Sequence, residues 1–171
     1  MGATAAPEVW LRGPLPDYTP VLVPVAHALL QAREDVERAA TGITTDELWR
    51  RPGHAAPAGY HLQHLAGSLD RLLTYARGKP LSEVQRAALA QEGSPGAPSS
   101  VLVPAVLAQI DRALGQLRVT PAGALAEPRE VGRARLPSTV LGLLFHAAEH
   151  TSRHVGQFIT TVKVVRGLAS G

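Results

Sequence analysis

Residues 141–157, LGLLFHAAEHTSRHVGQ, set His146, His150 and His154 at four-residue spacing within an apolar helical pattern. At 100° and about 1.5 Å per residue, helical residues four apart stand one turn apart on the same side. Two imidazoles so placed are close enough to share a metal ion about 2 Å from each. His146 and His154 are about 12 Å apart along the axis, so one neighbouring pair must serve a single ion. The apolar stripe selects it. Leu141, Leu144, Ala148, Thr151, Val155, Phe158, Ile159, Val162 and Val165 form the core-facing side. His154 lies roughly 100° from the centre of that stripe, His150 roughly 140°, and His146 nearly opposite. His150 and His154 therefore flank the core, and His146 looks outward. A competing reading takes His146, Glu149 and His150 as H-x-x-E-H, the inverted zinc-peptidase pattern with a glutamate base. It puts metal and base on the side turned away from the core, where nothing supplies a third ligand or a dry cleft, and is the weaker reading for that reason.

A third ligand is sought on another helix. The stripe Leu62, Leu65, Ala66, Leu69, Leu72, Leu73 and Ala76 predicts a helix over 58–77. His61 and His64 sit on one flank of it, about 60° apart, with His61 nearer the core centre. His64 lies beside Gly67 and Ser68, small residues expected to leave the room between helices that a metal and a substrate need. His64 is therefore the expected third ligand, and His61 the reserve ligand or a supporting partner. His27 stands alone on its helix and reads as a partly exposed or satisfied histidine. His54 falls in a Gly/Pro/Ala loop that does not hold an imidazole in place. No residue stands out as a general base, since Glu149 faces away and Asp70 and Tyr75 are only candidates.

The remaining chain supplies two more long helices. Residues 1–18, with Pro7, Pro14 and Pro16, read as an extended arm that Trp10 is expected to pack onto the domain of residues 19–171. Thr19 is the expected cap of a first helix over 19–41, with Pro20 at its first position and Pro24 as the alternative start. Thr44 with Glu47, and Ser82 with Gln85, fit capping boxes for short helices near 45–50 and 82–92. GSPGAPSS, residues 93–100, reads as linker. Ser100 is the expected cap of a third long helix over 100–118, carrying Val103, Val106, Leu107, Ile110, Leu114 and Leu117. Ser138 is the expected cap of the histidine helix, 138–166, which Gly167 ends. Residues 120–137 read as a long irregular loop, and no strand signal of any strength is present. The fold class is all-α, a four-helix bundle of up-and-down type with two short extra helices. The connection of about 19 residues before the last helix leaves topology less fixed than helix count.

Length and composition narrow the chemistry. At 171 residues the chain is long enough for one domain with a real core. It has no cysteine, which removes disulfides, thiolate nucleophiles and thiolate metal sites together, so a zinc-like ion must use His and carboxylate. The net charge is +3, but the arginines are spread, only Arg129, Arg133 and Arg135 cluster, and aromatics are 4%. That pattern offers neither a phosphate-tracking stripe nor a stacking platform, so no nucleic-acid partner is expected. Neither a signal peptide nor an 18-residue apolar run is seen, and a cytoplasmic protein without membrane association is expected.

The stretch HLQHLAGSLDRLL with His64-Leu65-Ala66, and HAAEHTSRHVGQ with His150 and His154-x-Gly156-Gln157, resemble the helix-two and helix-four ligand motifs of the DinB/YfiT-like metalloenzyme superfamily. Thr44, Glu47, Leu48 and Trp49 are similar to its lead-in to helix two, and the likeness spans about Tyr18 to Val165. The resemblance implies a zinc or nickel site of three histidines with open positions, often in a homodimer. Characterised relatives include S-transferases that join a small cellular thiol such as bacillithiol to an electrophile, and a mycothiol-dependent maleylpyruvate isomerase. A small-molecule thiol is thus the implied cosubstrate and S-transfer the implied activity. Metal-dependent hydrolysis and a non-catalytic binding module are its rivals. The family commonly has His-Arg-Gly-Gln where this chain has His154-Val155-Gly156-Gln157, a lost charge beside the ligand that bears on substrate rather than metal.

Overall fold

Apolar spacing of period 3.6 becomes helix at each of the expected places in the computed structural model, which describes residues 6–169. The elements are α1 (Val23–Ala39), α2 (Thr45–Trp49), α3 (Ala58–Ala76), α4 (Glu83–Gln91), α5 (Ser99–Val119) and α6 (Val140–Ala169). Residues 1–5 of the expected arm lie outside the described residues. The four long helices form the bundle, and their stripes meet in one core that includes Leu22, Val36, Leu65, Ile110, Leu144 and Phe158. No helix is long and apolar enough to cross a membrane among the described residues.

Side-chain contacts give the helix order and directions. α1 packs on α5 and α6, and α3 packs on the same two helices, so α1 and α3 stand at opposite corners. Near the start of α1, Tyr18 stacks under the Arg118 guanidinium from the end of α5, 5.0 Å from the ring centre, so those helices run antiparallel. Gln116 near the end of α5 donates to the Leu73 carbonyl near the end of α3, and these two run parallel. The connections from α1 to α3 and from α5 to α6 therefore cross the bundle, which accounts for the long segment before α6.

Both capping boxes are present: Thr44 accepts from the Glu47 N–H, Ser82 accepts from the Gln85 N–H, and Glu47 and Gln85 reach back to the cap amides. Other caps shift. Thr19 precedes a 3-10 turn over Pro20–Leu22 and makes no cap bond; α1 starts at Val23 with Pro24 in its first turn, the alternative start. α5 begins one residue before Ser100, after Pro98, which sets the chain direction without a side-chain bond. At α6 the cap is Thr139 rather than Ser138, its Oγ1 accepting from the Gly142 N–H at 3.0 Å. Gly167 does not end that helix, which continues to Ala169. The arm is anchored by Val9, 5% exposed, whose N–H donates to Gln31, whereas Trp10 is 60% exposed and bonds Glu8 instead.

The strand-free reading of residues 120–137 is corrected. β1 (Pro128–Val131) and β2 (Leu136–Thr139) pair antiparallel, with Val131 opposite Leu136 across a turn in which Gly132 has φ +69°. Four-residue strands carrying Pro128 and Pro137 show no apolar alternation, and two-stranded edges tolerate proline, so the pairing has no sequence signature. The hairpin ends at the Thr139 cap and thereby sets where α6 begins.

Phe158 on α6 is the largest fully buried side chain among the described residues. Phe158→Ala is expected to lower unfolding free energy by about 3–5 kcal/mol in urea titration, while circular dichroism keeps its helical form.

Candidate metal centre

α3 and α6 run antiparallel and bring four histidines face to face. The His64 and His150 Nε2 atoms are 3.0 Å apart, and the His61 and His154 Nδ1 atoms 3.2 Å apart. The His154 ring centre is 4.5 Å from those of both His64 and His150. One nitrogen from each of His64, His150 and His154 lies within 4.8 Å of the other two. The three residues singled out in the sequence thus converge. With His154 Nδ1 committed to His61, Nε2 is the nitrogen that remains for the cluster. His61 is buried against His154.

Three residues at the site carried no sequence signal. Glu92, the residue that ends α4, accepts from His64 Nδ1 at 2.8 Å, and its other oxygen accepts from Arg71. The Tyr60 ring stacks on His64, centres 5.6 Å apart and planes at 12°. A Cβ at position 67 would collide with the Glu92 carboxylate. The room beside Gly67 expected for metal and substrate is therefore occupied by this carboxylate. Gly67 was the only trace of it in the sequence.

Burial, followed by the proximity of His64, holds the His154 imidazole down to about 4 and the His150 imidazole below its ordinary range. Burial and His64 act on His61 in the same direction. For Glu92, burial opposes ionisation, but hydrogen bonds from His64 and Arg71, with the charge of Arg71, together lower its carboxyl pKa. Neutral imidazoles offer lone pairs. Nitrogens bound at 2.0–2.1 Å in a tetrahedral zinc site are about 3.3 Å apart, so the 3.0 Å gap between His64 and His150 needs to open only slightly. Three imidazoles without thiolate or carboxylate suit zinc or nickel better than magnesium or calcium. Among the described residues no fourth His, Cys, Asp or Glu joins the group.

The other candidates lie elsewhere. His146, its side chain 51% exposed, sits 3.4 Å from the Glu149 carboxylate, which also accepts from Arg153, so the inverted-peptidase pattern forms a surface charge network. Asp70 accepts from Gln85, Tyr75 lines a hollow under the β-hairpin, and His54 is exposed. His27 borders a groove of about 530 Å³ between α1 and α6 whose lining contains none of the three histidines.

In metal-free protein the His154 ring is expected to titrate near 4 rather than near 6.5 in a histidine NMR titration. The folded pKa lies below the unfolded one, so the unfolded chain takes the proton first. The stability this histidine contributes is then complete above about 6.5 and is lost as pH falls toward 4.

No curated protein matches the chain. The crystal structure of a conserved protein from Enterococcus faecalis superposes with a TM-score of 0.72 at 18% identity, covering 87% of this chain and 99% of that one, which shows a shared fold. Residues 28–158 match the DinB superfamily, a span that contains α3, the histidine cluster and most of α6. The chain belongs to the DinB superfamily.

Proposed function

We propose that the protein is a divalent-metal-dependent enzyme that joins a small-molecule thiol to an electrophile, with zinc or nickel held by His64, His150 and His154. The observation that carries this reading is the convergence of three imidazole nitrogens from two helices, with no fourth His, Cys, Asp or Glu in the group among the described residues. Such a cation, when bound, supplies positive charge that favours the ionised form of a thiol. His61 holds His154 through the Nδ1 pair, and burial keeps both rings neutral at physiological pH. Glu92 and Tyr60 hold His64 from two sides. Because the chain has no cysteine, the sulfur arrives as a cosubstrate. The sulfur forms the new bond to the electrophilic carbon, the bond from that carbon to its leaving group breaks, and the thiol proton passes to solvent. Membership of the DinB superfamily supports the reading, since S-transferases are among the activities its resemblance implies.

Metal analysis is expected to find one ion per chain in the wild type and in His146→Ala, and loss of the ion in His64→Ala, His150→Ala and His154→Ala. Loss in His146→Ala with retention in His154→Ala would restore the inverted-peptidase arrangement. Metal-loaded protein incubated with a halogenated arene or a bimane is expected to form an adduct only with a thiol from a panel of bacillithiol, mycothiol and glutathione, and only with His154 intact. Metal-dependent loss of the electrophile without thiol would show hydrolysis instead, and no turnover across the panel would leave a binding module.

A further inference from the structure

We propose that Glu92 is the positioning residue of His64: its carboxylate keeps the imidazole proton on Nδ1 and so directs the Nε2 lone pair into the cluster with His150 and His154. This rests on the metal reading above. A neutral imidazole carries its proton on either nitrogen, and only the Nδ1–H form leaves Nε2 able to take a metal. An ionised carboxylate is acceptor-only, so Glu92 Oε2, 2.8 Å from His64 Nδ1, selects that form. Among the described residues, His64 is the one histidine of the three with a carboxylate on its second nitrogen. His154 has the neutral His61 in that place.

The surroundings hold the carboxylate to this task. Its other oxygen accepts from Arg71, and the two side chains are only 11% and 12% exposed, which keeps the carboxylate from turning into the cluster as a ligand. Gly67 leaves the slot it fills. The chain beyond it is pinned to α3 at Gln63, next to His64: the Gly93 N–H donates to Gln63 Oε1 at 3.0 Å, and Gln63 Nε2 donates to the Ser94 carbonyl at 3.1 Å. Gly93, at φ +90°, makes the turn that this pinning requires and lies against Tyr60, the ring stacked on His64. Glu92 is thus built into a support around His64 by residues far from it in sequence. A merely structural Arg71–Glu92 pair would hold α4 on α3 equally well, and the proton position of His64 separates the two roles.

Glu92→Gln keeps the shape and offers one acceptor oxygen to two donors. The charged Arg71 claims that oxygen, and the amide NH2 then faces His64 Nδ1. Long-range ¹⁵N–¹H NMR of metal-free protein is expected to show His64 protonated on Nδ1 in the wild type and on Nε2 in Glu92→Gln, with zinc binding about ten- to a hundredfold weaker in the variant. In the double variant Arg71→Ala/Glu92→Gln the amide oxygen is free to turn to His64, so the Nδ1 proton and most of the zinc affinity return. Arg71→Ala alone is expected to lower the melting temperature without moving the proton. The proposal is overturned if Glu92→Gln leaves the His64 proton on Nδ1 or binds zinc within twofold of wild type, or if the double variant fails to recover both. A wild type that binds no zinc but shows the Glu92-dependent proton shift would instead overturn the metal reading and leave the positioning of His64 intact.

Discussion

The seam between α3 and α6 is held to one register by buried and half-buried imidazoles that must find partners. A buried polar atom without a partner costs about 1–3 kcal/mol, and helix surfaces in a bundle core offer few alternatives to one another. His61 meets His154 and His64 meets His150, so two histidines one turn apart on each helix answer two on the other. A one-residue slip of either helix would break both pairs. The same burial makes the rings of His61, His150 and His154 hard to charge, which is why they present lone pairs rather than imidazolium groups. Structural constraint and chemical capacity have one origin here.

The helical part of the fold was legible because its information is local. Apolar spacing marks each long helix, and the bounds of α3 agree at its first residue and within one at its last. The two capping boxes were readable because both halves of the motif lie within four residues. Single-residue caps were not, since a lone serine or threonine caps only if the turn before it leaves the right dihedral angles. Ser100 yields to Pro98, and Ser138 yields to Thr139 because the β2 ladder extends to Thr139. The hairpin itself depends on pairing between segments that each look like loop. Helix order around the bundle is equally non-local, being fixed by contacts such as Gln116 with Leu73.

The site divides along the same line. The converging histidine trio could be found because position on a helical wheel follows from sequence number alone. Glu92 could not, because nothing in an acid at the end of a short helix says which side of α3 it will meet. Gly67 on its own suggests room between helices, and the structure fills that room with a side chain 25 positions later. A small residue on an interhelical face marks close approach but does not say what approaches, whether a metal, a substrate or another part of the chain.

The row of histidines on α6 shows why spacing alone is an incomplete motif. His146–His150 and His150–His154 are chemically identical pairs with the same separation, and either matches a two-histidine metal pattern. Each step of four residues overshoots a full turn by about 40°, so the row spirals from solvent toward the core. His146 has its side chain 51% exposed and shares its glutamate with Arg153, whereas His154 is 9% exposed. At the outer end water and salt bridges satisfy the groups that face it, and a cation would gain little over its hydration shell. At the inner end α3 supplies the third imidazole, and lower dielectric makes the attraction between lone pairs and a cation stronger. The phase of the row against the apolar stripe, rather than its period, therefore distinguishes a surface charge network from a histidine pair that meets a third imidazole.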